Sequence, residues 1–266
     1  MSIRGDNVRY GLIGGTGIDE MACFADARRQ TVTTRFGEAD VVETDFGGRN
    51  IFFVPRHGFG HSMPPGAINY RAQMASLSKI GVDAVFGVCA AGSLKAELIP
   101  GSFVVLSDFI DLTKRRADTF FDSDSGPVVH TDLSQPYCPH ASSSLTQACE
   151  VASVDYRAQG VYVGVEGPRY ESPAEIRLYA SWGADVIGMT NVPEVILAKE
   201  AGLCYGAIAI VTNLASGIGD ATLSHDDVRA EMAESMSRLQ DVLVTAIDRF
   251  PQIRQCTCRA NTGLVI

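Results

Sequence analysis

No apolar run in this 266-residue chain is long enough to span a bilayer. The longest, Val82–Ala91 and Ala207–Val211, are interrupted or short. The opening Met1-Ser-Ile-Arg-Gly-Asp6 has none of the apolar core of a secretory signal, so a cytoplasmic enzyme is the default expectation. Positive charge is also scarce: 22 Lys and Arg stand against 31 Asp and Glu, a net charge of −9. That balance argues against a nucleic-acid or anionic-membrane partner, and any anion must be held in a local pocket. No repeat, low-complexity tract or Gly/Ser linker divides the chain, which reads as one domain over 1–250 followed by a tail over 251–266. Metal-ligand clusters are lacking too, since the five His are scattered. The seven Cys are an odd count in a large chain, against a small disulfide framework. Cys256-Thr-Cys258 is the one patterned pair, too tightly spaced for half of a zinc knuckle and with no partner pair nearby in sequence. No metal site is expected, and truncation after Pro251 is expected to leave activity in place.

What is present is an alternation of short Val-, Ile- and Phe-rich runs with helical patterns, the signature of an α/β fold. Strands are expected at Tyr10–Ile13, Ile51–Pro55, Ala84–Cys89, Phe103–Phe109, Val161–Val165, Val186–Met189 and Ala207–Thr212, and helices from near Tyr70, Ser142, Pro173, Pro193 and His225. Ser172-Pro173-Ala174-Glu175 has an N-cap, a Pro at the first helical position and a Glu to close a capping box. Ser224 precedes two acids in a first turn. The last helix lines up Val228, Met232, Met236, Leu239, Leu243, Ala246 and Phe250 as a core face. Residues 115–132 are polar and aperiodic, a long loop of the kind that is often functional.

The chemistry gathers at strand ends. The first strand runs into Gly14-Gly15-Thr16-Gly17, whose glycines let backbone approach an anion while the Thr16 hydroxyl donates. Read alone this is equally a tight turn. It is neither a dinucleotide fingerprint, lacking the third glycine and the cofactor acid, nor a P-loop, lacking Gly-Lys-Ser/Thr. Those absences leave an NAD-dependent oxidoreductase a distant reading. The second strand ends in Pro55-Arg56-His57-Gly58, a guanidinium and an imidazole suited to a doubly charged phosphate, and the third in Cys89-Ala90-Ala91-Gly92-Ser93, whose small side chains expose amides. Three such ends on one sheet edge mark where α/β proteins bind ligands.

These motifs, with Asn69-Tyr70-Arg71-Ala72, Glu166-Gly167-Pro168-Arg169-Tyr170-Glu171 and Gly188-Met189-Thr190-Asn191-Val192-Pro193-Glu194, resemble in order those of the trimeric purine nucleoside and methylthioadenosine phosphorylases. The resemblance implies a central mixed, partly barrel-like sheet flanked by helices. It implies phosphate held by Thr16, Arg56, His57, Cys89, the backbone of Ala90, and Thr190. Met189 would pack on the ribose and bind its hydroxyls through backbone, Tyr170 would stack near base and sugar, and His130 would be lent to a neighbouring subunit's pocket in a trimer or dimer of trimers.

Three positions bear on the substrate. Where methylthioadenosine enzymes carry Asp-Tyr-Asp, this chain has Asn213-Leu214-Ala215, and an amide can donate to a 6-oxo group or to N7. Glu171 can accept from a purine N1–H, and from a 2-amino group, that adenosine lacks; it also reads as a helix-start carboxylate complementing the dipole, and both can be true. His225 falls where 6-oxopurine enzymes carry a histidine for the 5′-hydroxyl. The expected activity is phosphorolysis of inosine and guanosine, with His57, Glu171 and Asn213 in catalytic roles and phosphate as co-substrate, and no cofactor. The alternatives are a methylthioinosine or methylthioadenosine phosphorylase and, from another class, a nucleoside-binding protein without turnover.

Overall fold

The computed structural model describes residues 8–15, 17–18, 21, 24, 27–122, 129–219 and 224–261. Its centre is built from β5 (Ala84–Ser93) and β9 (Cys204–Leu214), near-continuous runs of Val, Ile and Ala that are buried on both faces, as a parallel interior pair requires. β9 also pairs antiparallel with β6 (Phe103–Asp111), β6 runs parallel to β7 (Tyr156–Gly164), β7 to β8 (Val186–Gly188), and β8 returns antiparallel to β5. The five strands therefore close on themselves. From β5 the sheet continues outward through β1 (Tyr10–Gly14), β4 (Arg49–Pro55), β3 (Gly37–Phe46) and β2 (Arg28–Thr34). This is the mixed, partly barrel-like α/β fold that the motifs imply.

Helices cover both faces. α1 (Tyr70–Ile80) starts where the Asn69 side chain accepts the Ala72 amide and stops at Gly81, whose φ of 90° only glycine adopts without strain. α2 (Pro139–Ala152) and α5 (His225–Arg249) pack together over β9, burying Leu145, Ala148, Leu239, Leu243 and Ala246 in one of the two main core clusters. α3 (Pro173–Ser181) opens on a complete Ser172–Glu175 capping box. α4 (Asn191–Glu200) has an extended Val192 inside its first turn, so regular helix begins at Pro193.

Two strands escape the sequence reading. β2 and β3 form a hairpin at the sheet edge, and β2 alternates exposed and half-buried residues with charged Arg28 and Arg29, so it has no apolar run to betray it. α2 begins three residues earlier than expected because Pro139 occupies its first turn. The described part of 112–138 forms no helix or strand, as expected of the polar loop.

The tail folds back on the body. Arg254 donates to the Asp83 carbonyl and carboxylate at 2.9 and 2.8 Å, Gln252 donates to the Tyr10 hydroxyl, and Cys258 is buried. Cys256 and Cys258 have partners after all. The fold brings up Cys138, ahead of α2, and Cys204, at the start of β9, which no sequence spacing could announce.

Candidate active site

β5 has a gap along one edge. β1 pairs with it only as far as Gly87, and β8 takes over only at Gly92. Among the described residues no strand pairs with that edge over Val88–Ala91, and these residues line a cavity of about 510 Å³. Four residues of strand span about 13 Å.

At the Val88 end sit Arg56 and His57. Arg56 follows β4 and is 1% exposed. Its Nε and Nη2 both meet the Glu194 carboxylate, the latter at 3.0 Å, while Nη1 donates to the Val88 carbonyl at 2.7 Å and Nη2 to that of Ile13 at 3.5 Å. Four of the five guanidinium protons are thus committed. The cation is already balanced by a buried anion from α4, itself braced by the Tyr205 hydroxyl at 2.8 Å. Gly15 lies against this pair. A Cβ there would stand 2.7 Å from His57 Cδ2 and 3.5 Å from Arg56 Nη1, so only glycine lets the first turn approach both.

His57 Nδ1 lies 2.8 Å from the Met63 carbonyl, which fixes it as the protonated nitrogen and turns Nε2 toward Gly15. Burial, and next the Arg56 charge, push its pKa down to about 3, so it is a neutral imidazole with a bare Nε2. Two further imidazoles follow it, His61 stacked at 4.1 Å and His225 tilted 6.0 Å from His61.

The other end is built by β9 and the segment before α3. Asn213 lies beside Gly92, its amide donating to the Leu214 carbonyl at 3.1 Å and its oxygen accepting from Thr212 at 3.0 Å, which leaves one N–H for a ligand. Tyr170 and Glu171 line the same cavity. Burial raises the Glu171 pKa and Glu175 adds to this, against its own backbone amide and Arg169. Between the ends are Met189 and Thr190. Gly167, at φ 66°, packs against the Met189 sulfur, where any side chain would collide.

Residues 9–248 match the Phosphorylase superfamily. The chain is 42% identical to a probable 6-oxopurine nucleoside phosphorylase of Moorella thermoacetica, over 97% of this chain and 99% of that protein. It is 40% identical to a probable S-methyl-5′-thioinosine phosphorylase of Methanothermobacter thermautotrophicus, over 94% and 87%. Methylthioadenosine phosphorylase from Schistosoma mansoni, solved in complex with adenine, superposes with a TM-score of 0.86 at 34% identity, covering 91% of each chain. The chain belongs to the phosphorylase superfamily.

In this phosphorylase the fold brings Arg56, His57, Cys89, Ala90, Tyr170, Glu171, Met189, Thr190, Asn213 and His225 to one cavity. Thr16 lies outside the described residues. His130 is exposed and does not line the cavity of its own chain. Cys89 offers no thiolate, because burial raises its pKa to about 12, and its thiol faces the Ile208 carbonyl; what it brings to the cavity is backbone. The Met189 carbonyl is already taken by Arg116 at 2.6 Å.

Arg116 is the residue that sequence reasoning missed. From the polar loop it reaches inward with a side chain 1% exposed. It donates to the carbonyls of Val165, Glu166, Met189 and Val192 and to the Tyr70 hydroxyl. The Glu166 carboxylate accepts the amides of Lys114 and Arg115 at 2.7 and 3.2 Å, holding the loop in place. Although partial burial raises its pKa, these amides and Arg116 bring it below the ordinary value. Glu194 and His61 also gain roles only from the fold, although Glu194 closes one of the sequence motifs. Nothing short of the fold shows that these side chains turn inward.

Proposed function

We propose that this phosphorylase cleaves 6-oxopurine nucleosides with inorganic phosphate, giving the free base and a pentose 1-phosphate. One observation carries the reading: Glu171 and Asn213, hydrogen-bonding groups suited to N1–H and to O6 or N7, share a cavity with Arg56 and His57 some four strand residues away and with Thr190 between them. Phosphate occupies the Val88 end, held by the last Arg56 N–H, the Thr190 hydroxyl and the amides of the β5 gap. His57 Nε2, a bare acceptor, takes a hydrogen bond from the phosphate hydroxyl. A phosphate oxygen forms the new bond to C1′ as the bond from C1′ to the purine nitrogen breaks, and the bonding pair leaves with the base. Asn213 stabilises that developing charge, and Glu171 fixes the ring through N1–H. The pocket works by positioning two reactants and by matching charge as it develops, with no enzyme nucleophile and no bound cofactor.

A panel of inosine, guanosine, adenosine, methylthioadenosine and methylthioinosine, with base release followed in phosphate, tests this. Inosine and guanosine should exceed adenosine in kcat/KM by a hundredfold or more, since a carboxylate facing the bare N1 of adenine costs several kcal/mol (roughly 3). Asn213→Asp should move the preference toward 6-aminopurines, and Glu171→Gln should cost guanosine most. Faster cleavage of adenosine than of inosine by the wild type would sink the reading.

One feature favours a second reading of the sugar end. Beside His225 the cavity wall carries Ile18, Val228 and Met232, apolar surface that suits a 5′-methylthio group as well as His225 suits a hydroxyl. A methylthioinosine phosphorylase keeps every base contact, and the relative from Methanothermobacter bears that description. Methylthioinosine outcompeting inosine at equal concentration selects it.

A further inference from the structure

Four sulfurs from three separate parts of the chain converge where the tail returns. Cys138 is the N-cap of α2, Cys204 opens β9, and Cys256 and Cys258 lie in the tail. Every Sγ lies within 4.8 Å of the other three, and Cys204 and Cys256 are 3.4 Å apart. Three of these residues are buried and Cys256 is half-buried. All four are free thiols.

We propose that Cys138, Cys204, Cys256 and Cys258 form a closed tetrahedral site for a thiophilic divalent cation of the zinc class, which clamps the tail onto α2 and β9. A tetrahedron with metal–sulfur bonds of about 2.3 Å has sulfur–sulfur edges of about 3.8 Å, within the range observed. The mutual closeness of all four is the telling feature. Two disulfides would need two short pairs and no relation between them, whereas a cage needs every sulfur near every other. The Cys-x-Cys spacing fits as well: residues two apart point to the same side of an extended chain, and the bend at Cys256 and Thr257 draws their sulfurs together.

The surroundings suit an anionic cage. Four thiolates around a divalent ion carry a net charge of −2. The Arg254 guanidinium stands 3.7 Å from Cys204 Sγ, placing a cation beside the sulfurs. Four protein ligands leave no open position for substrate, so the site is structural. It lies at the Cys204 end of β9, whereas Asn213 lies at the other. Its effect belongs to stability, and it stands whether or not the substrate reading does.

The test uses the full chain, purified under reducing conditions from zinc-supplemented medium. Elemental analysis should find about one zinc per chain, and cobalt exchanged into the site should give the intense thiolate charge-transfer and tetrahedral visible bands of an S4 centre. Cys256→Ser and Cys258→Ser should each lower bound zinc at least tenfold and depress Tm, while phosphorolysis at moderate temperature stays within about twofold. Reduced wild-type protein that carries no metal, and takes up neither zinc nor cobalt when loaded anaerobically, overturns the proposal. So does an intact mass showing two disulfides in protein that still binds no metal after reduction. Both of these measurements are made on the wild type, so they decide the matter even if a variant fails to fold.

Discussion

Arg56 stands at the Val88 end of the cavity with its charge already matched by Glu194, so on the proposed reading its removal has two consequences of different size. Losing one hydrogen bond to phosphate costs about 1.5–3 kcal/mol. Leaving Glu194, 1% exposed, without its cation costs about 3–5 kcal/mol of folding stability. Arg56→Ala should therefore show a fall in Tm alongside weaker phosphate dependence. Arg56→Met with Glu194→Gln, which removes both charges, should regain much of the Tm while phosphate KM stays raised. Recovery of phosphate KM in the double variant would show that Arg56 acts only as a strut. His57 gives a pH signature. In the unfolded chain it gains a proton near its ordinary value of 6.5, but in the native state only near 3. The unfolded state thus binds more protons across that window, and the contribution of His57 to stability, complete above 6.5, is lost as pH falls toward 3. Thermal melts over that range should flatten in His57→Gln relative to the wild type. Melts that stay parallel would contradict the buried, neutral imidazole. At this scale the sequence was informative wherever a residue type carried its own chemistry at a strand end, as Arg56, His57 and Asn213 do. Glu194 and Arg116 were opaque, because a charged side chain that turns inward has the same letter as one in solvent.

Elements set where those residues stand, and the decisive one is β5 with its unpaired stretch between β1 and β8. Its long apolar run was plain in the sequence; that two partners would share one edge and leave four residues open was not, since a pairing gap depends on strands far away in the chain. The same limit hid β2 and β3, whose exposed edge position needs no apolar signal. The polar loop shows the reverse case: its aperiodicity suggested function, and what the fold shows there is a buried arginine. Arg116 ties the carbonyls of Val165, Glu166, Met189 and Val192 together, and so joins the end of β7, the turn after β8 and the start of α4 into one wall. A lysine has only three protons to offer. Counting the bond to the Tyr70 hydroxyl, Arg116 makes five, so Arg116→Lys loses at least two of them, at about 1 kcal/mol each. Because the wall carries Met189 rather than the phosphate end, nucleoside KM should rise about tenfold while phosphate KM moves less. Equal rises in both constants would assign Arg116 to general stability alone.

At the scale of the whole molecule, the exposed His130 is the test of assembly. It stands away from the cavity of its own chain, on the loop that resembles the segment such phosphorylases lend across a subunit boundary. If one subunit's loop completes the next subunit's pocket, two inactive variants carry complementary defects. His130→Ala spoils the loop it lends and keeps its own pocket, whereas Asn213→Ala spoils its pocket and keeps its loop. In cyclic trimers assembled from an equal mixture, a pocket from the first variant meets a loop from the second at about one site in four. Mixing after dissociation and reassembly should therefore restore about a quarter of wild-type turnover, from two preparations that have little alone. The restored sites should also show wild-type KM, because each holds an intact pocket and an intact loop. Activity that merely averages the two parents would place His130 outside any neighbour's site, and a monomer in sedimentation would do the same.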